Sequence, residues 1–249
     1  MTISRLRVIA PLLILILLGL GEPAAAQNLS LDLGESGTLT NRLVQLIALI
    51  TVLSMAPSLL LMVTSFTRIV IVLSLLRTAI GSGTSPPNMV IISLAMFMTL
   101  FVMAPVFQES YANGIQPLVA ERIDEATAFE RATAPFHKFM MAHTRDKDLQ
   151  LFLDLSHTSP PATPEATPLQ IVIPAFMISE IRRAFSIGFL LFIPFIVIDL
   201  VIASVLVSMG MMTLPPATVS LPIKLVFFVL VDGWHMVAGS LIQSFGGQG

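Results

Sequence analysis

The sequence predicts an all-α membrane protein made of kinked helical hairpins, with about four hydrophobic segments and a small helical section between them. Of its 249 residues, 55% are hydrophobic and only 11% are charged, whereas a soluble domain carries roughly 25% charged residues. Several uncharged runs are long enough to cross a hydrocarbon core of about 30 Å as helices. The composition therefore argues against a water-soluble globule.

The composition also argues against several classes of function. The net charge is -2, with 13 basic and 15 acidic residues, so the chain lacks the basic surplus that binds nucleic acid. Without cysteine it has no disulfide, zinc-thiolate site or thiol nucleophile. It contains neither a GxSxG elbow nor a GxxxxGK[ST] loop, and its four histidines lack metal-ligand spacing. We expect no catalytic residues, no metal and no cofactor, and therefore no enzyme.

The first 26 residues have the order of a secretory signal peptide. Arg5 and Arg7 precede an apolar run over residues 8–20, and small residues follow it up to Ala26. Cleavage after Ala26 would leave Gln27 as the first residue, outside the inner membrane. The alternative is a permanent span, but the run has about a dozen residues where about 20 are needed. Residues 27–42 are expected to form a flexible lead-in.

Residues 43–107 are predicted to form the first hydrophobic hairpin. Leu43–Phe66 and Asn88–Phe107 carry no ionised group and reach spanning length. The connection between them holds Arg68, Arg77 and the helix-breaking run Gly81–Pro87. Because it has two arginines and no acid, the positive-inside rule predicts that this connection is cytoplasmic.

Residues 108–168 are predicted to form a water-facing periplasmic helical section. They carry nine of the fifteen acids and end in a stiff proline-rich linker, residues 159–168. Apolar residues recur there at intervals of three and four, which predicts a helical hairpin with a buried face. These residues are Phe136, Phe139, Met140, Leu149, Phe152 and Leu153.

Residues 169–249 are predicted to form a second hydrophobic hairpin closed by a methionine-rich loop. Ser186–Met209 and Leu221–Phe245 are its long apolar segments, and Leu169–Phe185 precedes them. Four prolines inside or at the ends of the hydrophobic segments predict kinks. Such breaks are tolerated in a membrane only where protein or a cavity surrounds them, so they favour an assembly around a conduit. These prolines are Pro57, Pro105, Pro174 and Pro194.

Three ionised residues lie inside the last two segments, where each costs at least about 2.5 to 3.5 kcal/mol on insertion scales. They are Asp199, Lys224 and Asp232. One interpretation is a proton or ion relay. The other, which we favour, is pairing that fixes helix or subunit packing.

Arginines outside the last two segments are also available for pairing. Arg68 and Arg77 are candidate partners of the two acids, Asp199 and Asp232. Glu180 precedes Arg183 by three residues, a spacing that allows a local ion pair on one helix.

Met209, Met211 and Met212 lie together beside a glycine and a proline pair. Methionine is an adaptable core filler, and on composition alone that interpretation suffices. A sharper hypothesis is that several such loops around an axis close a pore and still deform to let a chain through.

Several long stretches, in this order, resemble the FliP family of flagellar type III export proteins and its relatives in virulence-type injection systems. The matching stretches are residues 65–77, 86–90, 144–149, 174–189, 193–200, 220–225 and 230–234. The signal peptide and the proline-rich linker favour the flagellar branch. The alternatives are a subunit of a virulence-type secretion system or an ion-coupled membrane carrier.

The resemblance implies a multi-pass protein of the bacterial inner membrane within the flagellar basal body. It implies a ring, expected to be pentameric, that assembles with FliQ and FliR into a helical export gate, near other subunits such as FlhB and FlhA. Unfolded flagellar subunits would leave the cytoplasm through this gate. The family's methionine gasket corresponds to Met209, Met211 and Met212. Thr213 departs from the usual third consecutive methionine and would make the gasket more polar.

Overall fold

A computed structural model describes residues 39–156, 163–211 and 213–246, and all regular structure in these ranges is helical. The predicted signal peptide, its cleavage site at Ala26 and Gln27, and Met212 lie outside the described residues. The chain divides into two compact units, Met1–Val52 and Leu53–Gly249. In the first unit, residues 39–52 are helical.

The helices are numbered in chain order. They are α1 Leu39–Met62, α2 Phe66–Ile80, α3 Asn88–Ser110, α4 Gln116–Val119, α5 Glu125–His143, α6 Asp146–Leu155, α7 Leu169–Ser208, α8 Pro216–Leu230 and α9 Gly233–Gly246. A π-helical turn, Tyr111–Ile115, joins α3 to α4, and a 3₁₀ turn, Pro164–Ala166, precedes α7.

Two helical runs of the described chain are long and apolar enough to cross a membrane. They are Asn88–Val119, which includes α3, and α7. The helices α8 and α9 form a third candidate if the bent pair is counted as one span. The predicted class, an all-α membrane protein, is confirmed.

Most of the segment predicted as a connection between two long helices is itself a largely buried helix. Helix α1 ends at Met62, and α2 begins at Phe66 after a break in which the Thr64 hydroxyl accepts the Phe66 N–H. Ile69 and Leu76 on α2 are fully buried because its apolar residues recur at intervals of three and four and face α7 and α3. Only the short turn over residues 81–87 connects α2 to α3.

Helix α7 is one continuous helix over two segments that were predicted as separate from the sequence. Its 40 residues include Pro174 and Pro194 and extend about 60 Å at 1.5 Å per residue. Helix α2 packs along it, and Gly188 makes this approach possible, since a Cβ there would lie 2.3 Å from Leu75 Cδ1. Residue 68 lies beside residue 180, and residue 75 beside 188, so α2 and α7 run parallel.

The predicted fourth segment is not one straight helix. Helices α8 and α9 are bent by 64° at Asp232, whose backbone has a φ of 50° in the left-handed region. Gly233 follows and packs on the Phe228 ring so closely that a Cβ would lie 2.2 Å from it. The bend follows from this pairing of a left-handed residue with a glycine.

The two longest helices that lie wholly within the predicted periplasmic section, residues 108–168, are α5 and α6. Met140 and Leu153 are buried as the spacing predicted, and Met140 packs with Val172 and Phe176 of α7. Helix α5 makes its main contacts with α3, the π-helical turn and α7, while α6 packs on α7. The expected helical hairpin therefore consists of α5 and α6, and both helices pack apolar residues against α7.

Candidate functional site

A buried ion pair joins α2 to α7. Arg68 donates from Nε to Glu180 Oε2 at 2.8 Å and from Nη2 to Oε1 at 2.5 Å. The side chains are only 1% and 0% exposed. A bidentate arginine–carboxylate pair has strong directional preference, so it fixes the register of the two helices.

The C-terminal helix completes the coordination of Arg68. Its Nη1 donates to the carbonyl of Ser244 at 3.1 Å and to the Ser244 hydroxyl at 2.9 Å. The guanidinium carbon lies 3.7 Å from the centre of the Phe245 ring, which is cation–π geometry. The Arg68 side chain thus links α2, α7 and α9.

The predicted local pair between Glu180 and Arg183 is not what the structure shows. Both carboxylate oxygens of Glu180 are bonded to Arg68, which lies 112 positions earlier in the chain. Because Arg68 is paired with Glu180, it does not form the predicted ion pair with Asp199. The pairing differs because α2, predicted as a connection, packs along α7.

A second ion pair joins α7 to α8. Lys224 donates from Nζ to Asp199 Oδ2 at 2.6 Å and to the carbonyl of Ala79 at 3.2 Å. The side chain of Lys224 is 8% exposed and that of Asp199 is 42% exposed. Asp199 Oδ1 is buried and has no hydrogen-bond partner within the described residues. Since Arg68 and Ala79 lie near opposite ends of α2, the two ion pairs hold both ends of that helix.

The two other predicted pairing residues, Arg77 and Asp232, have different surroundings. Arg77 donates to Asn88 Oδ1 at 2.5 Å and to the Pro86 carbonyl at 3.3 Å, which stabilises the turn between α2 and α3. Asp232 is exposed at the bend between α8 and α9 and forms no ion pair with the part of the chain that the structure describes.

Ser179 and the start of α6 form a polar contact between α6 and α7. Arg145 donates to Asp148 at 2.9 and 2.8 Å, and Ser179 donates to Asp148 at 2.6 Å. The hydrogen bonds from Arg145, followed by that from Ser179, hold the pKa of Asp148 below its usual value, although burial opposes the shift. The sequence did not predict this contact, although residues 144–149 form one of the stretches that resemble the family.

His143, the last residue of α5, lies next to the Arg68 site. Its ring contacts the rings of Phe139 and Phe245, with centroids 4.5 and 5.4 Å away. Nδ1 lies 2.8 Å from the Phe139 carbonyl. Burial lowers the pKa of His143, and the charge of Arg68 acts in the same direction, while the Phe139 carbonyl and Glu180 oppose them.

This lowered pKa predicts a pH-dependent stability. A histidine with a folded pKa below its unfolded value of about 6.5 contributes full stability above pH 6.5. That contribution is lost as the pH falls through the folded pKa. We expect the melting temperature of the detergent-solubilised protein to fall more steeply below pH 6.5 than that of a His143→Gln variant.

The control for this titration is His235→Gln, because His235 is exposed on α9. The control should keep the full pH dependence of the parent. Identical pH profiles for the parent and His143→Gln would contradict the prediction.

The methionine loop follows α7, beyond the second ion pair. Met209 and Met211 are exposed, at 61% and 40%. The backbone turns at Gly210, which has a φ of 75°, and the Met211 N–H donates to the Leu206 carbonyl at 2.9 Å. Because α2 and α7 run parallel, this loop and the Gly81–Pro87 turn lie toward the same end of the bundle. Apolar side chains are thus presented at the tip of the longest helix.

Across residues 39–156, 163–211 and 213–246, no group of three or more histidine, aspartate or glutamate residues is placed to bind a metal ion. The arrangement consists of one buried and one partly exposed ion pair, together with exposed apolar surfaces. Together with the candidate spans, it defines a class: a helical membrane protein whose helices are held in register by buried charges, with an apolar loop at one end.

Comparison with known proteins identifies the family within that class. The FliP family matches residues 49–241, so the chain belongs to the FliP family. It is 60% identical over 226 residues to the flagellar biosynthetic protein FliP of Caulobacter vibrioides, covering 90% of this chain and 85% of that protein. It is 50% identical over 202 residues to the protein of that name from Bacillus subtilis, covering 81% of this chain and 91% of the other.

A third relative covers even more of the chain. The flagellar biosynthetic protein FliP of Rhizobium meliloti is 47% identical over 237 residues, which is 93% of this chain and 97% of that protein. The family predicted from the ordered motifs is confirmed. The chain is a membrane-embedded protein of the flagellar export apparatus, and the virulence-type alternative is not favoured.

Proposed function

We propose that this chain is a core channel-forming subunit of the flagellar type III export gate, through which unfolded flagellar subunits cross the inner membrane. The observation that best supports this proposal is the position of the methionine loop at the tip of the 40-residue helix α7. Two ion pairs fix the register of that helix against its neighbours. A rigid support with a flexible apolar tip suits a constriction that must seal and still open. The subunit would act as a conduit and catalyse no reaction.

The proposed assembly is a pentameric ring with FliQ and FliR, in contact with subunits such as FlhB and FlhA in the basal body. Its support is the amount of apolar surface that a single chain leaves exposed. Helix α7 alone exposes large apolar side chains along much of its length, among them Phe185, Phe189, Leu200 and Val201. Surface of this kind is covered by lipid or by other protein.

A carrier that uses Asp199 and Lys224 is the second candidate, because Asp199 Oδ1 is buried without a partner in the described chain. The contact of Lys224 with both Asp199 and the Ala79 carbonyl favours a structural pair. A carrier would transport ions as a single purified chain in liposomes, whereas a gate subunit requires its partners.

The gate proposal is tested by deleting the gene in its host and restoring it from a plasmid. Hook and filament proteins are then measured in the medium and inside the cell. We expect secretion to disappear and to return with the plasmid, while these proteins still accumulate inside the deletion strain. Unchanged secretion would overturn the proposal.

The methionine loop carries its own prediction. Replacing Met211 and Met212 by alanine removes long side chains from the proposed constriction, so the membrane should become more permeable to ions. We expect a raised ion conductance in cells or liposomes that contain the assembled gate. The control is Met236→Ala, an exposed methionine on α9 away from the loop. A conductance equal to that of the parent would show that these methionines do not seal the channel.

A further inference from the structure

A row of exposed side chains runs along α7 on the side turned away from α2. Glu180 and Gly188 face α2, since Glu180 bonds Arg68 and Gly188 packs on Leu75. The exposed row lies roughly half a turn around the helix from them. Its members, which we call the α7 seam, are Arg182, Phe185, Phe189, Ile193, Ile196 and Leu200. They follow one another at intervals of three and four residues, the spacing of a helix face that packs against another helix.

The first part of the α7 seam encloses a hole for one side chain. A cleft of about 550 Å³ is lined by Arg182, Phe185, Ser186, Phe189 and Leu190. The first four stand at positions i, i+3, i+4 and i+7, which form the hole in knobs-into-holes packing of helices. Ser186 is the smallest of them, and its hydroxyl already donates to the Arg182 carbonyl at 3.0 Å. An apolar side chain could therefore fill the hole without leaving this hydroxyl unpaired.

Helix α3 presents a ridge of exposed apolar side chains on the other side of α2. Helix α2 lies between α3 and α7, because it packs against both of them. Phe97 and Phe101 are 70% and 68% exposed, whereas Ile91 belongs to the buried core that α2 shares. With Val90 and Leu94, which are also exposed, the two phenylalanines form the α3 seam, again at intervals of three and four. The two outer helices of the layer α3–α2–α7 thus each carry an unpartnered seam.

The two seams lie at the same height in this layer. Residue 75 lies beside residue 188, and residue 68 beside 180, so residue 71 of α2 is level with residues 183–184 of α7. Helix α3 runs back along α2 after the turn over residues 81–87. Since both helices rise equally per residue, Phe97 lies level with about residue 71. A copy rotated about an axis parallel to these helices would therefore bring its Phe97 to the hole at Ser186.

We propose that the α3 seam of one copy packs against the α7 seam of a second copy, with Phe97 inserted into the hole at Ser186. This inference rests on the proposed ring and names the faces that form it. Because the seams are different surfaces of one chain, the contact is heterologous, and such contacts close into a ring when the rotation allows it. The Arg182 guanidinium would border the inserted ring of Phe97, and a cation is attracted to the face of an aromatic ring.

Two observations favour a protein partner over lipid for these faces. Helix α3 exposes eight large apolar side chains. At on the order of 100 Å² each they offer roughly 800 Å², which is the area that one partner buries in a stable interface. Surfaces that face lipid carry belts of Trp and Tyr at their borders, whereas the whole chain has one Trp and one Tyr.

The test is disulfide cross-linking, which is selective because the chain has no cysteine of its own. The variant Phe97→Cys with Ser186→Cys is expressed with the other export subunits in a strain that lacks the native gene, oxidised mildly, and run on denaturing gels without reductant. We expect a ladder of covalent oligomers. Within one chain, α2 separates the two positions by two helix spacings, about 16 to 20 Å, whereas a disulfide requires Cα atoms within about 7 Å. The cross-links therefore join different copies.

Single variants and a displaced pair are the controls. In a heterologous contact, neither Phe97→Cys nor Ser186→Cys alone brings two cysteines together, so each should remain a monomer on the gel. The two single variants expressed in one cell should give dimers and no longer ladder. Phe129→Cys with Ser186→Cys moves one cysteine to an exposed position of α5 outside both seams, and this pair should not cross-link.

Phe97→Ala should weaken self-association without unfolding the chain, because the side chain is 70% exposed in the single chain. Truncating an aromatic anchor at an interface has a large cost. We expect the concentration at which half of the detergent-solubilised protein is oligomeric to rise about tenfold, with an unchanged circular dichroism spectrum. Phe97→Tyr keeps the ring and should associate like the parent. Phe129→Ala, which removes an exposed ring outside the seams, should do the same.

Three outcomes contradict this interface. The first is the absence of a ladder in the double variant while native gels still show an oligomer, and the second is a cross-link in either single variant. The third is unchanged self-association of Phe97→Ala, which would indicate that lipid covers this face. Secretion separates this inference from the gate proposal. A chain that restores secretion without forming the ladder refutes the interface alone, whereas a ladder in a strain whose gene deletion leaves secretion intact refutes the gate alone.

Discussion

Glu180→Gln should destabilise the protein by about 3 to 5 kcal/mol, the typical cost of removing one partner from a buried ion pair. Glutamine has nearly the same shape, so the effect would come from charge. The guanidinium of Arg68 would stay buried against Phe245 and Ser244 without a carboxylate. We expect a large drop in the melting temperature in detergent, faster proteolysis at the α2–α7 contact, and loss of flagellar export.

Two further variants separate charge from packing. Glu165→Gln is the matched control, since Glu165 is exposed before α7 and should melt like the parent. The double variant Arg68→Met with Glu180→Met removes both charges and keeps similar volume, and such replacements are often neutral or stabilising. It should recover much of the stability that Glu180→Gln loses. A Glu180→Gln protein as stable as the parent would refute the importance of the pair.

Asp199→Asn should have the second largest effect, mainly on assembly and export. The change removes the charge that compensates Lys224, whose side chain is nearly buried and also holds the Ala79 carbonyl. Because Asp199 is itself 42% exposed, we expect a smaller loss of monomer stability than at Glu180, about 1 to 3 kcal/mol. Native gels of the solubilised export complex and secretion of hook protein are the two measurements.

The two measurements separate a structural pair from an ion relay. Loss of the oligomer together with loss of export supports pairing. Intact oligomers with abolished export would support a relay through Asp199 and would contradict our proposal. Asp232→Asn is the matched control, because Asp232 is exposed at the bend and forms no ion pair in the described chain. In the isolated subunit, the control should change stability little.

The ion pairs and the methionine loop have a simple mechanical relation. Helices α2, α7, α8 and α9 are bonded through Arg68, Glu180, Lys224 and Asp199. Helix α7 continues for nine residues beyond Asp199 to Ser208, and Gly210 then reverses the chain. The loop therefore begins at Gly210, beyond the two ion pairs that hold the supporting helices in register.

The sequence by itself determined the class of this protein and its family. Membrane helices are recognisable because the apolar content of a segment is a local property, and so is the spacing that places Met140 and Leu153 inside. The ordered motifs identified the family, which the comparison confirmed over residues 49–241. The local spacing of Arg68 and Arg77, however, indicated a connection where a buried helix exists.

Only the tertiary structure decided which charges meet. Glu180 had a candidate partner three residues away at Arg183, yet it bonds Arg68, 112 positions earlier. Lys224 reaches Asp199 across 25 positions, while Asp232, equally charged and similarly placed in the sequence, stays at an exposed bend. An ion pair depends on which helices become neighbours and at what register, and those follow from packing of apolar faces such as that of α2 on α7. No short stretch of sequence contains that information, because the two partners become adjacent only when the helices fold together.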